Sequence, residues 1–169
     1  MKRLLKIWIV MIISFVSVIP FLLAQNSPKD YLKIHNDARA EVGVKPLKWD
    51  SKLALDARKF VKKHAADCVK AISTRAFKDT YGQNSAYITT SEGVTAMAMW
   101  VKLKKYYDYK SNSCIDGQEG CRTYTQVVWS ESTFLGCAEV KCRDYGGTLV
   151  TCLYDPVGNI PNQRPYLVH

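Results

Sequence analysis

The sequence predicts an α+β domain, and three observations carry that prediction. Apolar residues at helical spacing occupy the first two thirds of the chain, whereas short apolar runs broken by glycines occupy the last third. The chain has 169 residues, room for one domain, with 47% apolar and 23% charged residues. Its six cysteines are an even set that can pair completely. This composition excludes a disordered tail, a collagen-like repeat and a multi-span membrane protein.

Residues 1–24 read as a secretion signal peptide. Met1 to Lys6 form a basic start, and Ile7 to Ala24 carry no charge. A retained membrane anchor is the competing reading, because 18 uncharged residues approach the length of a span. Pro20 and the immediate start of a soluble pattern favour cleavage after Ala24. The mature chain then has 145 residues, and loss of Lys2, Arg3 and Lys6 takes the net charge from +9 to +6. That charge is spread in pairs such as Lys62-Lys63 and Lys104-Lys105 and accompanies no nucleic-acid motif, so a mild attraction to anionic surfaces is expected and a nucleic-acid partner is not.

The elements follow in order. Ser27-Pro28-Lys29-Asp30 has the capping-box register and a proline at the first helical position. Tyr31, Ile34 and Ala38 continue that helix until Gly43 and Pro46 stop it. Asp50 caps a second helix whose face carries Leu53, Ala57, Phe60, Val61 and His64. Residues 69–90 are weakly patterned; Gly82-Gln83-Asn84 breaks them, and residues 86–89 suit a short strand. A third helix starts at Thr90 or Ser91 with two apolar stripes, Val94–Met97–Ala98–Val101 and Ala96–Met99–Trp100–Leu103–Tyr107, which predicts packing on two sides. Residues 108–120 are a polar loop, and 121–129 a short segment apolar at its end. Leu135–Val140 and Thr148–Tyr154 read as strands joined at Gly146-Gly147, before an aperiodic tail from Pro156. No internal repeat or linker divides the chain.

Cys68, Cys114, Cys121, Cys137, Cys142 and Cys152 all follow the signal. In an oxidising compartment they form three disulfides, each worth about 2–4 kcal/mol, with fifteen connectivities open. No pair has C-x₂-C spacing, which disfavours a cysteine zinc site. None is left over as a nucleophile.

Several segments together resemble one family. His35-Asn36-Asp37-Ala38-Arg39 resembles an HNxxR motif, and Gly82-Gln83-Asn84 a G[E/Q]N motif. Tyr124-Thr125-Gln126-Val127-Val128-Trp129 and Cys152 to Asn159 resemble two longer signatures. They are those of the plant class-1 pathogenesis-related proteins of the CAP superfamily (cysteine-rich secretory, antigen 5, pathogenesis-related 1). The likeness spans residues 25–166 as one SCP-like domain, with 167–169 as an extension. It implies an α-β-α sandwich, the pairings Cys68–Cys142, Cys114–Cys121 and Cys137–Cys152, and export to the plant apoplast as a monomer.

The family usually carries two histidines and two glutamates in a central cleft, a set suited to a divalent metal. Their positions here hold Ser73, Gln83, Leu103 and Thr123. Neutral amide and hydroxyl groups are poor ligands and leucine is none, so no metal cofactor and no enzyme activity are expected, and metal-dependent hydrolysis is the least favoured reading. His35 and Arg39, one helical turn apart, with Asn36, Tyr124, Gln126 and Trp129, belong to the family's structural motifs. His64 reads as a core residue and His169 as part of the terminus.

Two functional readings remain. Trp100, Tyr106, Tyr107 and Tyr109 lead into a loop whose counterpart in relatives is implicated in sterol binding, and rings with polar tips suit a flat apolar ligand from a microbial membrane. Ordinary core and surface roles are the alternative for the same rings. The tail Pro156 to Tyr166 resembles PxGNxxxxxPY, a defence-signalling peptide that a protease would release at Asp155-Pro156. Leu153 in place of the usual Asn and the extra Leu167-Val168-His169 depart from that pattern. A structural tail wrapped on the domain is the alternative. Asn112-Ser113-Cys114 is at most a rare glycosylation variant, so glycosylation is not expected.

Overall fold

The computed structural model describes residues 26–78, 80–89, 93–115, 120–143 and 146–167. The signal peptide, the start of the third predicted helix at 90–92 and His169 lie outside them. Helix α1, Pro28–Glu41, begins with the predicted capping box: Ser27 Oγ accepts from the Asp30 amide, and the Asp30 carboxylate accepts from Ser27 N–H. Gly43 leaves it with φ +73°, a conformation glycine adopts without strain. Strand β1, Lys48–Trp49, leads to α2, Ser51–Lys63, which Asp50 caps through the amides of Lys52 and Leu53. His64 ends α2 as its C-cap, half-buried with its ring 4.6 Å from Phe60, and is not on the fully buried face.

The weakly patterned stretch is more ordered than its composition implies. It contains α3, Cys68–Ser73, capped by Asp67, and strand β2, Gly82–Ile88, which includes the predicted break at 82–84. Helix α4, Val94–Lys102, ends in a 3₁₀ turn over Leu103–Tyr106. Its two predicted stripes merge into one buried side centred on Ala96, Met97 and Trp100. Met99 falls outside that side and is 49% exposed, but the helix packs against both α1 and α5, as expected for a helix apolar on two sides. The polar loop holds a two-residue hairpin of β3, Tyr107–Asp108, and β4, Ser113–Cys114. Helix α5, Cys121–Val127, precedes β5, Phe134–Lys141, and β6, Thr148–Asp155.

The sheet order is β1-β5-β6-β2, antiparallel except for the parallel β1–β5 pair. Side chains alternate across β6: Val150, Cys152 and Tyr154 enter a core with α1, α4 and α5, whereas Leu149 and Leu153 enter a second core with α2 and α3. This is the α-β-α sandwich, with β6 covered on both faces. α2 lies so close to β5 that a Cβ on Gly136 would meet Ala54 N at 2.2 Å. The disulfides are Cys68–Cys142, Cys114–Cys121 and Cys137–Cys152. The first fastens α3 under the sheet, the second closes the hairpin onto α5, and the third joins directly paired residues of β5 and β6.

Two buried polar groups lock α1 to the body. Arg39 is 1% exposed and donates to the carbonyls of Lys45, Val127, Trp129, Ser130 and Ser132. Burial pushes its guanidinium down to about 10, so it remains protonated at neutral pH. His35 is fully buried, with Nδ1 2.8 Å from Tyr31 O and Nε2 2.8 Å from the Tyr154 hydroxyl. A carbonyl only accepts, so Nδ1 carries the proton, and Tyr154, which accepts from Asn84 Nδ2, donates to Nε2. Every polar atom of this network is used by the neutral imidazole.

Desolvation pushes the His35 imidazole from 6.5 down to about 4. Between those values the unfolded chain binds the proton and the native state does not, so stability falls as pH falls through that window and is level above it. Urea denaturation of the wild type from pH 7 to pH 4 should show this loss, at up to about 1.4 kcal/mol per pH unit. His35→Gln, although less stable throughout, should have a flatter profile. Parallel profiles would remove His35 as the cause.

Candidate functional site

The four substituted cleft positions lie on different elements. Gln83 is on β2, where Nε2 donates to Thr74 O and Ser85 Oγ, each at 3.0 Å. Thr123, on α5, donates its hydroxyl to Gly120 O at 2.8 Å, and its carbonyl accepts from Asn84 Nδ2. Leu103 packs against the core with α1, α4 and α5. Ser73, at the exposed end of α3, donates to Lys70 O at 3.0 Å. A divalent cation needs several anionic or imidazole donors, and these positions supply an amide, an alkyl group and two hydroxyls already donating to carbonyls. The residues do not fit a metal centre. Among the described residues no three His, Cys, Asp or Glu side chains are grouped to hold one.

The C-terminal tail turns back over the domain and walls a cavity. Pro156 O accepts from Ser132 Oγ, Gly158 N–H donates to Gln126 Oε1, and Asn159 bridges Thr125 Oγ1 and Arg122 O. Further on, Gln163 O accepts from Asn112 Nδ2, Arg164 donates to the carbonyls of Tyr109 and Lys110, and Pro165 O accepts from Ser130 N–H. Pro165 and Tyr166 are buried. Between this strap and the β3–β4 hairpin lies a cavity of about 300 Å³. Tyr107, Trp129, Ile160, Pro161 and Pro165 give it an apolar side, and Asn112, Ser113, Arg122, Thr125, Asn159, Asn162 and Gln163 make most of the rest of the lining polar.

Of the four aromatic residues singled out by sequence, the structure brings only Tyr107 to this cavity. Its hydroxyl donates to Asn112 Oδ1, and burial pushes its phenol up to about 12. Trp100 is 3% exposed in the core. Tyr109 stacks on Tyr166 at 5.3 Å, with the Arg164 guanidinium 4.7 Å above its ring, and so braces the strap. Tyr106 is half-buried outside the cavity, with Lys105 Nζ 4.7 Å from its ring. The tail residues Ile160, Pro161, Gln163 and Pro165 also line the cavity. Their aperiodic sequence carries no signal of that role.

Two other cavities are described. One, of about 150 Å³, lies among the α3–β2 connection, α5 and residues 157–159, and includes Gln83. The other, of about 380 Å³, lies between α1, α2 and β5 beside the stacked rings of Tyr31 and Trp49. There Glu139 accepts from the Tyr31 hydroxyl and Asn26, and burial followed by the Glu139 charge raises the Tyr31 phenol above its ordinary range.

A two-sided helical cover over a disulfide-stapled sheet, anchored by a buried arginine on α1, defines a cysteine-rich α-β-α scaffold. Residues 32–154 match the family described as "CAP: Cysteine-rich secretory protein family", and the chain belongs to that family. Within it the chain stands among the pathogenesis-related 1 proteins of plants. It is 48% identical over 143 residues to pathogenesis-related protein 1B of Nicotiana tabacum, covering 85% of this chain and 83% of that one. It is 42% identical over 160 residues to pathogenesis-related protein 1 of Arabidopsis thaliana, covering 92% and 94%. Among solved structures, venom allergen-like protein 4 of Schistosoma mansoni superposes with a TM-score of 0.64 at 28% identity, over 83% of this chain and 94% of that one.

Calorimetric titration of the mature protein with Zn²⁺ should give no stoichiometric event at submicromolar affinity. Gln83→Glu, Leu103→Glu and Thr123→His combined should increase zinc affinity by at least about tenfold. A tight one-to-one event in the wild type would refute the misfit.

Proposed function

We propose that the mature chain is a secreted, non-enzymatic defence protein of the apoplast that acts by capturing a sterol or related lipid. The cavity under the C-terminal strap carries this reading. At about 300 Å³ it falls in the size range of small-molecule sites. Its aromatic and proline side offers flat apolar contact, and the remaining lining, which includes Asn112, Gln163 and Arg122, would meet the polar part of an amphipathic ligand. Its described lining contains no His, Asp or Glu, the groups that most often act as general acids and bases, which favours holding a ligand over converting it. Tyr107 would touch the ligand, and Tyr109 would hold the strap.

A sterol-binding assay with the mature protein checks this. Tyr107→Ala should weaken binding by about tenfold, in line with the loss of one buried aromatic contact. Tyr106→Ala, outside the cavity, should bind as the wild type does. Equal affinity for wild type and Tyr107→Ala would remove the cavity from the account.

A second reading keeps residues 156–166 as a releasable peptide. Pro156 is exposed directly after β6, where a processing protease would have to reach the chain. The hydrogen bonds that tie the strap down mean that release requires it to lift first. Mass spectrometry of secreted fluid should then find a fragment beginning at Pro156. Only intact chains there would leave the tail a structural element.

A further inference from the structure

The pocket of about 150 Å³ beside Gln83 brings together cations from separate segments. Arg75 and Lys78 come from the α3–β2 connection and Arg122 from α5; all three are exposed. No carboxylate lines the pocket among the described residues. Arg75 and Lys78 take part in none of the ion pairs seen among those residues. Arg75 and Lys78 around so small a concavity, with Arg122 at its wall and engaged in an interaction of its own, create a local potential that favours an anion. Guanidinium forks suit the oxygens of a tetrahedral oxyanion.

Gln83 adds a constraint that charge does not. Both of its amide hydrogens are used, toward Thr74 O and Ser85 Oγ, and because Thr74 O only accepts, the nitrogen side of the amide is fixed. Its Oε1 is buried without a hydrogen-bond partner. A buried acceptor left unpaired is costly, and the group that satisfies it must donate. Sulfate is fully ionised and has no hydrogen to give. A phosphate bearing a P–OH has both the charge for the three cations and the donor for Gln83.

We propose that this pocket binds a phosphate group that retains a P–OH, either free phosphate or the monoester head group of a lipid. The site is separate from the strap cavity, although Arg122 and Asn159 line both, and it does not depend on sterol capture.

The test uses the mature protein at about pH 6, where phosphate monoesters carry a proton on a substantial fraction of molecules. The calorimetric probes are inorganic phosphate and sulfate. The vesicle probes are phosphatidylcholine with a minor fraction of phosphatidic acid, a monoester, and phosphatidylcholine with the same fraction of phosphatidylglycerol, a diester. Phosphate should bind saturably and about tenfold more tightly than sulfate. The double variant Arg75→Ala/Lys78→Ala should weaken phosphate binding by at least about tenfold, and because both side chains are exposed the fold should be retained. Gln83→Glu, which puts a charge beside the anion and removes no packing volume, should weaken it comparably. Binding of phosphatidic acid vesicles alone, with the same losses in the variants, would identify the head group as the source. The proposal is overturned if no probe binds, if sulfate matches phosphate, if phosphatidylglycerol matches phosphatidic acid, or if the double variant binds as the wild type does.

Discussion

The buried guanidinium of Arg39 is the constraint on which the functional half of the molecule depends. It leaves α1 and donates to carbonyls of the 43–46 turn and of residues 127–132. A buried cation is stable only when its donors are matched, and here five carbonyls match them. Removing it would take a donor from each of those carbonyls, of which Trp129 O would keep the Ser132 N–H. The segment it fixes is the one to which the strap is tied, through Ser130 to Pro165 and Ser132 to Pro156. Trp129 in the same segment walls the strap cavity. One side chain on the first helix thus sets the position of the last residues of the domain.

The residues around β2 divide structural from candidate ligand-facing roles. Asn84 keeps a structural task, bonding Thr123 O and the Tyr154 hydroxyl. Its neighbour Gln83 is free of that task, and the neutral groups at 83, 103 and 123 leave the sheet and helices undisturbed. Beside Gln83, Arg75, Lys78 and Arg122 line a small pocket. Positive groups there would favour an anion over a divalent cation, as proposed above.

Local chemistry made α1 and α2 legible. Ser27, Asp30 and Asp50 act on amides two or three residues away, and Gly43 needs only its own backbone freedom. Strands β5 and β6 were legible from apolar runs, since β6 is buried on both faces. The start of β2 was not, because Gly82, Gln83 and Asn84 have the composition of a turn. Gly82 is there because a Cβ would strike Gln126 Oε1 at 2.3 Å, and Asn84 because its amide completes a buried network. Helix α3 is too short for a periodic pattern and is fastened by a cysteine 74 residues away. The assignment of 73, 83, 103 and 123 as cleft positions needs only residue identity beside the motifs, and it is an expectation of the resemblance. The cavity walls are not legible in the chain, because they are made by a tail that folds back across more than 30 residues of sequence.

The strap has a consequence for how binding and cleavage relate. Residues of the 159–165 strap wall the hollow and also belong to the stretch that a peptidase would have to draw out into extended form if the tail were released. Under the two proposed readings, an occupant of the hollow would clamp that backbone shut and scission would empty the hollow. Loading and processing would then oppose each other by thermodynamic reciprocity.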